Sequence, residues 1–204
     1  MLKNIFETIE SKPIQALVGL LLFHFAVAFM LSAIAHSSFL SYMHNGQGLW
    51  NFSRDSTLYH DEAISLVELL NAGQWGEWWS GMPTHAQVKW IALIYWAFEV
   101  EMPLLFEVVN SVVWLVSVVL VYRAAHILFA QNVRLACFSV LFFFFPSVLF
   151  SSTQLLREPF YILGLCFIMF GWILICDEQS KWRGAFAIVI GFYLVVTIRS
   201  YIAP

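Results

Sequence analysis

Between Ile14 and Ala35 the chain carries a single ionisable side chain, His24, in an otherwise apolar run. A helix crossing the hydrocarbon core of a bilayer needs about 20 such residues. Similar runs recur at Leu104 to Tyr122, Leu135 to Ser152 and Phe160 to Cys176, and a shorter one, Gly184 to Ile198, borrows residues on either side. Hydrophobic residues make up 61% of the 204 and charged residues only 11%. Soluble domains hold roughly 25% charged residues, so lipid is the expected solvent. The fold class read here is all-α: a polytopic membrane helical bundle, one domain over 1–204, with spans near 14–35, 104–122, 135–152, 160–176 and 184–198. The first apolar run is longer than a secretion-signal core and its Ala-x-Ala chemistry is weak, so it reads as a retained span.

Basic residues orient such a bundle. With the N-terminus in the cytoplasm, Lys3, Lys12, Arg123, Arg134, Lys181 and Arg183 fall inside, and Arg54, Lys89, Arg157 and Arg199 outside. Of the 13 acids, Asp55, Asp61, Glu62, Glu68, Glu77, Glu99, Glu101, Glu107 and Glu158 lie outside. Residues 36–103 then form one long outer loop. Tryptophans 50, 75, 78 and 79 would seat it at headgroup level, and the aromatic run Val88 to Phe98, too short to cross, reads as an interfacial helix. A net charge of -3 without a basic patch argues against nucleic acid.

In that loop, "RDSTLYHDEAISLVELLNAG" has helix grammar. Asp55 and Ser56 are N-cap types, and Ala72-Gly73 is a stop. Tyr59, Ala63, Leu66 and Leu70 share an apolar face, and Asp61, Ser65 and Glu68 another. The plain reading of the acids is a cap and a solvated face. "STQLLREPFYILG" places Arg157, Glu158 and Pro159 at the start of a span. Helix-end amides with Arg157 would make an anion site there, or the pair would be an interfacial salt bridge. Arg199 ends the last run, either snorkelling to headgroups or joining the same face. Glu107 and Asn110 share a helical face and either pair with Lys89, line a cavity or serve a purely structural role. His24 reads as a core histidine. His36, His44, His60 and His85 fit no zinc spacing, the three cysteines read as packing residues, and Pro146 should kink its span. No phosphate-cradling glycine loop and no Ser-His-Asp arrangement appears.

The order of these features resembles a known family. A first span is followed by an outer acid with Tyr four residues later, then "GQW", an aromatic amphipathic run and "VLVYRAAHILFA". After these come "FPSVLFSSTQLLREPFYILGL" and an arginine with an aromatic neighbour beyond a further span. This pattern resembles the glycosyltransferase C superfamily, and within it transferases similar to protein O-mannosyltransferases and aminoarabinose transferases. Asp55, Tyr59 and Ala63 match the family's spacing. Ser56 departs from the Asp-Glu pair of many relatives, and Asp61-Glu62 offers that dipeptide without the tyrosine.

The resemblance implies a transferase that moves a sugar from a polyprenyl-phosphate donor to an acceptor hydroxyl on the extracytoplasmic face. The acceptor would be a glycan, lipid or protein. Asp55 would be the base, with Asp61 as second choice. Tyr59, His60, Glu62, Arg157, Glu158 and Arg199 would hold substrate. No cofactor is implied, and a divalent metal stays open. The expected setting is a bacterial inner or plasma membrane, and five spans suggest the N-terminal part of a longer bundle. The alternatives are a polysaccharide polymerase or ligase, a transporter or flippase subunit, and a non-catalytic membrane partner.

Overall fold

The structure, a computed structural model, describes residues 11–81, 84–177 and 180–199, with the backbone alone for Arg199. Among them the elements are helical: α1 (Pro13–Ala35), α2 (Arg54–Asn71), α3 (Trp75–Ser80), α4 (Ala86–Phe98), α5 (Pro103–Leu128), α6 (Val133–Ser139), α7 (Pro146–Ser152), α8 (Glu158–Cys176) and α9 (Lys181–Arg199). Four of these helices carry proline in the first turn: Pro13, Pro103, Pro146 and Pro159. There its fixed φ suits the helix and its missing N–H leaves no donor unpaired.

Four helices, α1, α5, α8 and α9, are long and apolar enough to cross a membrane, or five if a bent pair counts as one span. That architecture fits a helical membrane bundle. The bent pair is the span expected over 135–152, broken at the proline expected to kink it. Residues 133–144 run through α6 into a 3-10 stretch (Val140–Phe144), and α7 then leaves at 66°. Pro146 is the cause. Its ring disfavours helical geometry in the preceding residue, and Phe145 is extended at φ -61°, ψ 135°.

The expected outer loop is built onto the bundle. In α2 the apolar stripe Tyr59, Ala63, Leu66 and Leu70 is buried and Asp61, Ser65 and Glu68 are exposed. The stripe packs on Val88, Ile91, Ala92 and Tyr95 of α4. Burying each large apolar side chain contributes roughly 1.5–3 kcal/mol. The same core continues into the spans through Phe106, Trp114 and Phe160, with Trp90 and Phe160 rings 5.2 Å apart. Trp50 and Trp78 are buried, so these two serve the protein core and not the headgroup level, whereas Trp75 and Trp79 are exposed. The N-cap of α2 is Ser53, without a side-chain cap bond, and Asp55 lies in the first turn. At the other end Gly73 takes φ +72°, and Gln74 N–H donates to Leu69 C=O as the chain turns away.

Helices α8 and α9 form the tightest pair. Gly164 faces Gly191 and Gly171 faces Gly184, the register of an antiparallel hairpin. Glycines seven residues apart sit on one helical face. A Cβ on Gly171 would fall 2.5 Å from the Gly184 carbonyl oxygen, so these backbones touch because both lack side chains. Phe186, Val189 and Tyr193 of α9 remain exposed and apolar, as a lipid-facing stripe would be. Gly19 in α1 has open space around it.

Gly171→Val should therefore push α8 and α9 apart, lowering stability by about 1–3 kcal/mol, while Gly19→Val should be near neutral. Thermal melting of the two variants in detergent checks this, and equal melting points would contradict the close glycine seam.

Candidate functional site

The chain leaves helical geometry between α7 and α8, so the backbone of 153–157 needs partners from elsewhere. Side chains supply them. Asn110 Nδ2 donates to the Gln154 carbonyl at 2.9 Å, and Gln87 Nε2 donates to the Leu156 carbonyl at 2.6 Å. The Gln154 side chain in turn accepts from the Trp50 N–H at 3.3 Å. One short segment is thereby tied to α4, to α5 and to the chain entering α2, and it ends at Arg157, the N-cap residue of α8.

That anchoring brings the α2 acids and the α8 arginine together around Tyr59. Its hydroxyl is pushed up to about 12, first by burial, with Asp55, Glu158 and Glu62 adding to the rise and Arg157 opposing it. The Tyr59 ring meets His85 edge-on at 5.4 Å. Burial lowers the His85 imidazole, Arg157 lowers it further, and Glu62 and Asp55 oppose. The Thr84 hydroxyl donates to Glu62. Asp55, Tyr59, Glu62, His85, Arg157 and Glu158 thus share one electrostatic neighbourhood at one end of the bundle.

Asp61 points elsewhere. It is exposed, and its charge acts on His60, which is buried and hydrogen-bonded through Nδ1 to the Tyr95 hydroxyl at 3.0 Å. Burial lowers His60, with Asp61 and Glu101 opposing. His60 therefore sits in the α2–α4 core beside the Tyr59 cluster. The Arg199 side chain lies outside the described residues.

Lys89 does not answer Glu107. Its ammonium donates to the Trp79 carbonyl and stands 5.4 Å over the Trp79 ring. Glu107 is held by Asn110 Nδ2 at 3.1 and 3.2 Å. His24 bridges the helices as a core group, Nδ1 to Ser111 Oγ at 2.9 Å and Nε2 to Ser152 Oγ at 2.7 Å, tying α1 to α5 and to the broken segment. A neutral imidazole has one donor and one acceptor nitrogen and can serve both serines. His36 and His44 bond to nearby carbonyls, and the outer histidines do not gather.

Sequence reasoning did not single out Thr84, Gln87 or Gln154. The available signal was a glutamine just before the apolar run of α4 and another just past the 135–152 run. Three buried acceptor atoms around the anchored segment, Gln87 Oε1, Asn110 Oδ1 and Glu158 Oε2, have no hydrogen-bond partner among the described residues. Buried acceptors in native proteins are nearly always satisfied, which marks this region as polar ground for a ligand or water. No protein-family model, curated protein or solved structure matches the chain.

His60 titrates with a clear direction. Its lowered value means the folded chain holds it neutral while the unfolded chain takes up a proton below the ordinary 6.5. Its contribution is present above that pH and is lost as the pH falls towards the lowered value. The melting point should drop below about pH 6.5, and His60→Gln should flatten that drop. An unchanged slope in melting point against pH would show that His60 carries none of it.

Proposed function

We propose that this chain is a membrane glycosyltransferase that moves a sugar from a polyprenyl phosphate to an acceptor hydroxyl at the end of the bundle bearing Asp55. The observation that carries this reading is the convergence on Tyr59 of charges from two separate elements, Asp55 and Glu62 on α2 with Arg157 and Glu158 at the head of α8. A base and an anion-binding group near one another are what this reaction needs.

In the proposed reaction the acceptor oxygen attacks the anomeric carbon as the Asp55 carboxylate takes its proton. The bond from that carbon to the phosphate oxygen breaks, and the electron pair leaves with the lipid phosphate. Arg157 and the first-turn amides of α8 stabilise the departing anion. The configuration at carbon inverts, and no covalent enzyme intermediate is required. The neutral Tyr59 hydroxyl, and the unpartnered acceptors on Gln87, Asn110 and Glu158, suit the hydroxyl groups of a sugar. Asp55 is preferred to Asp61 as base because Asp55 contributes to the field at Tyr59 and Asp61 to that at His60.

A second reading, a flippase or transporter of lipid-linked sugars, draws on the broken pair α6–α7 and on the buried His24 and Glu107, since transporters use broken helices and buried ionisable groups.

Reconstituted protein with a panel of labelled polyprenyl-phosphate hexoses and pentoses separates the two. Asp55→Asn should cut transfer by about 10²–10⁴-fold with the fold intact, and Asp61→Asn should retain most activity. Arg157→Ala should weaken donor binding more than acceptor binding. Full transfer by Asp55→Asn removes the base from the scheme. Lipid-sugar scrambling without transfer, unaffected by Asp55→Asn, selects the transporter.

A further inference from the structure

The far end of the bundle holds a cleft of about 610 Å³ between the last turns of α5, the end of α8 and the start of α9. Leu174, in its wall, lies sixteen residues beyond Glu158 along α8, or roughly 24 Å at the helical rise. The cleft is thus distinct from the Tyr59 cluster and independent of the transferase reading.

Its chemistry is cationic. Arg123 from α5 and Arg183 from α9 line it, both exposed, with His126 and Ser180 between them as hydrogen-bonding groups. The Tyr122 ring stacks on His126 at 5.7 Å and 20°. No carboxylate is among the described residues lining the cleft, and Asp177, the residue after α8, is not one of them; Glu178 lies outside the described residues. Arg183 and Lys181 stand in the first turn of α9, which holds no acid. Backbone amides already make that end positive, so basic side chains there add like charge to like. An anion resolves the excess, and two arginine forks suit phosphate oxygens.

The surroundings select the source of that phosphate. Phe170 and Leu174 form an apolar wall of the cleft. Trp182, between Lys181 and Arg183, is exposed, as an anchor at a membrane–water boundary would be. A free anion in water has no use for the wall, whereas a lipid fills both parts.

We propose that this cleft holds the headgroup of an anionic phospholipid, its phosphate between Arg123 and Arg183 and an acyl chain along Phe170 and Leu174. The same juxtaposition fixes one leaflet against this end of the bundle.

The test uses the full chain in detergent, with native mass spectrometry reading retained phosphatidylglycerol against phosphatidylcholine. Wild type should prefer phosphatidylglycerol. Each single variant, Arg123→Gln or Arg183→Gln, should weaken that binding about fivefold, and the pair roughly 30-fold. Arg134→Gln, a nearby arginine outside the cleft, should change nothing. Both cleft arginines are exposed, and an unshifted melting point confirms that each variant folds. The proposal is overturned if Arg134→Gln costs as much as the cleft variants, or if the two lipids are held equally. It is overturned too if sn-glycerol phosphate displaces phosphatidylglycerol as well as the lipid displaces itself, which would make the ligand a soluble phosphate.

Discussion

Buried backbone polar groups need hydrogen-bond partners, and the largely buried stretch 153–157 meets that need outside a helix. Asn110 and Gln87 answer it by donating to the carbonyls of Gln154 and Leu156, and the Gln154 side chain passes the connection on to Trp50. Without those bonds the segment has no fixed path. With them, Arg157 and Glu158 are delivered to the first turn of α8 beside the α2 acids. The geometry at Tyr59 is a product of amide side chains that themselves carry no charge.

Much of this was legible in the sequence, for physical reasons. Apolar length gave α1, α5, α8 and α9 because a lipid-facing helix has no alternative use for such runs. The periodicity of Tyr59, Ala63, Leu66 and Leu70 gave the buried face of α2, and proline positions marked four helix starts. The break near Pro146 was readable as a kink, but not its size, because 66° depends on what α7 packs against. Trp50 and Trp78 were misplaced because tryptophan suits both interfaces and cores, and composition does not distinguish them.

The site was less legible than the fold. Asp55, Tyr59 and Arg157 stand out in sequence as an acid, an aromatic and a base at helix starts, but more than a hundred positions separate Asp55 from Arg157. Their meeting depends on Gln87, Asn110 and Gln154, which look unremarkable in an apolar chain. Lys89 shows the converse. A lysine close to Glu107 in the outer segment invites an ion pair, yet a carbonyl and an indole face satisfy it locally. Local partners win where a long side chain can reach them without ordering anything further.

The bend between α6 and α7 has a mechanical consequence for the surrounding lipid. With the second arm tilted by 66°, the pair reaches roughly 24 Å along the first, short of the ~30 Å of hydrocarbon that a straight helix of that length would cover. Such hydrophobic mismatch is relieved by local thinning of the bilayer. Thinning on this side would draw the plane of lipid phosphates inward, towards Ser152 and the residues just beyond it. The non-helical stretch that leads into Arg157 would then lie closer to the phosphate plane than a straight span would leave it.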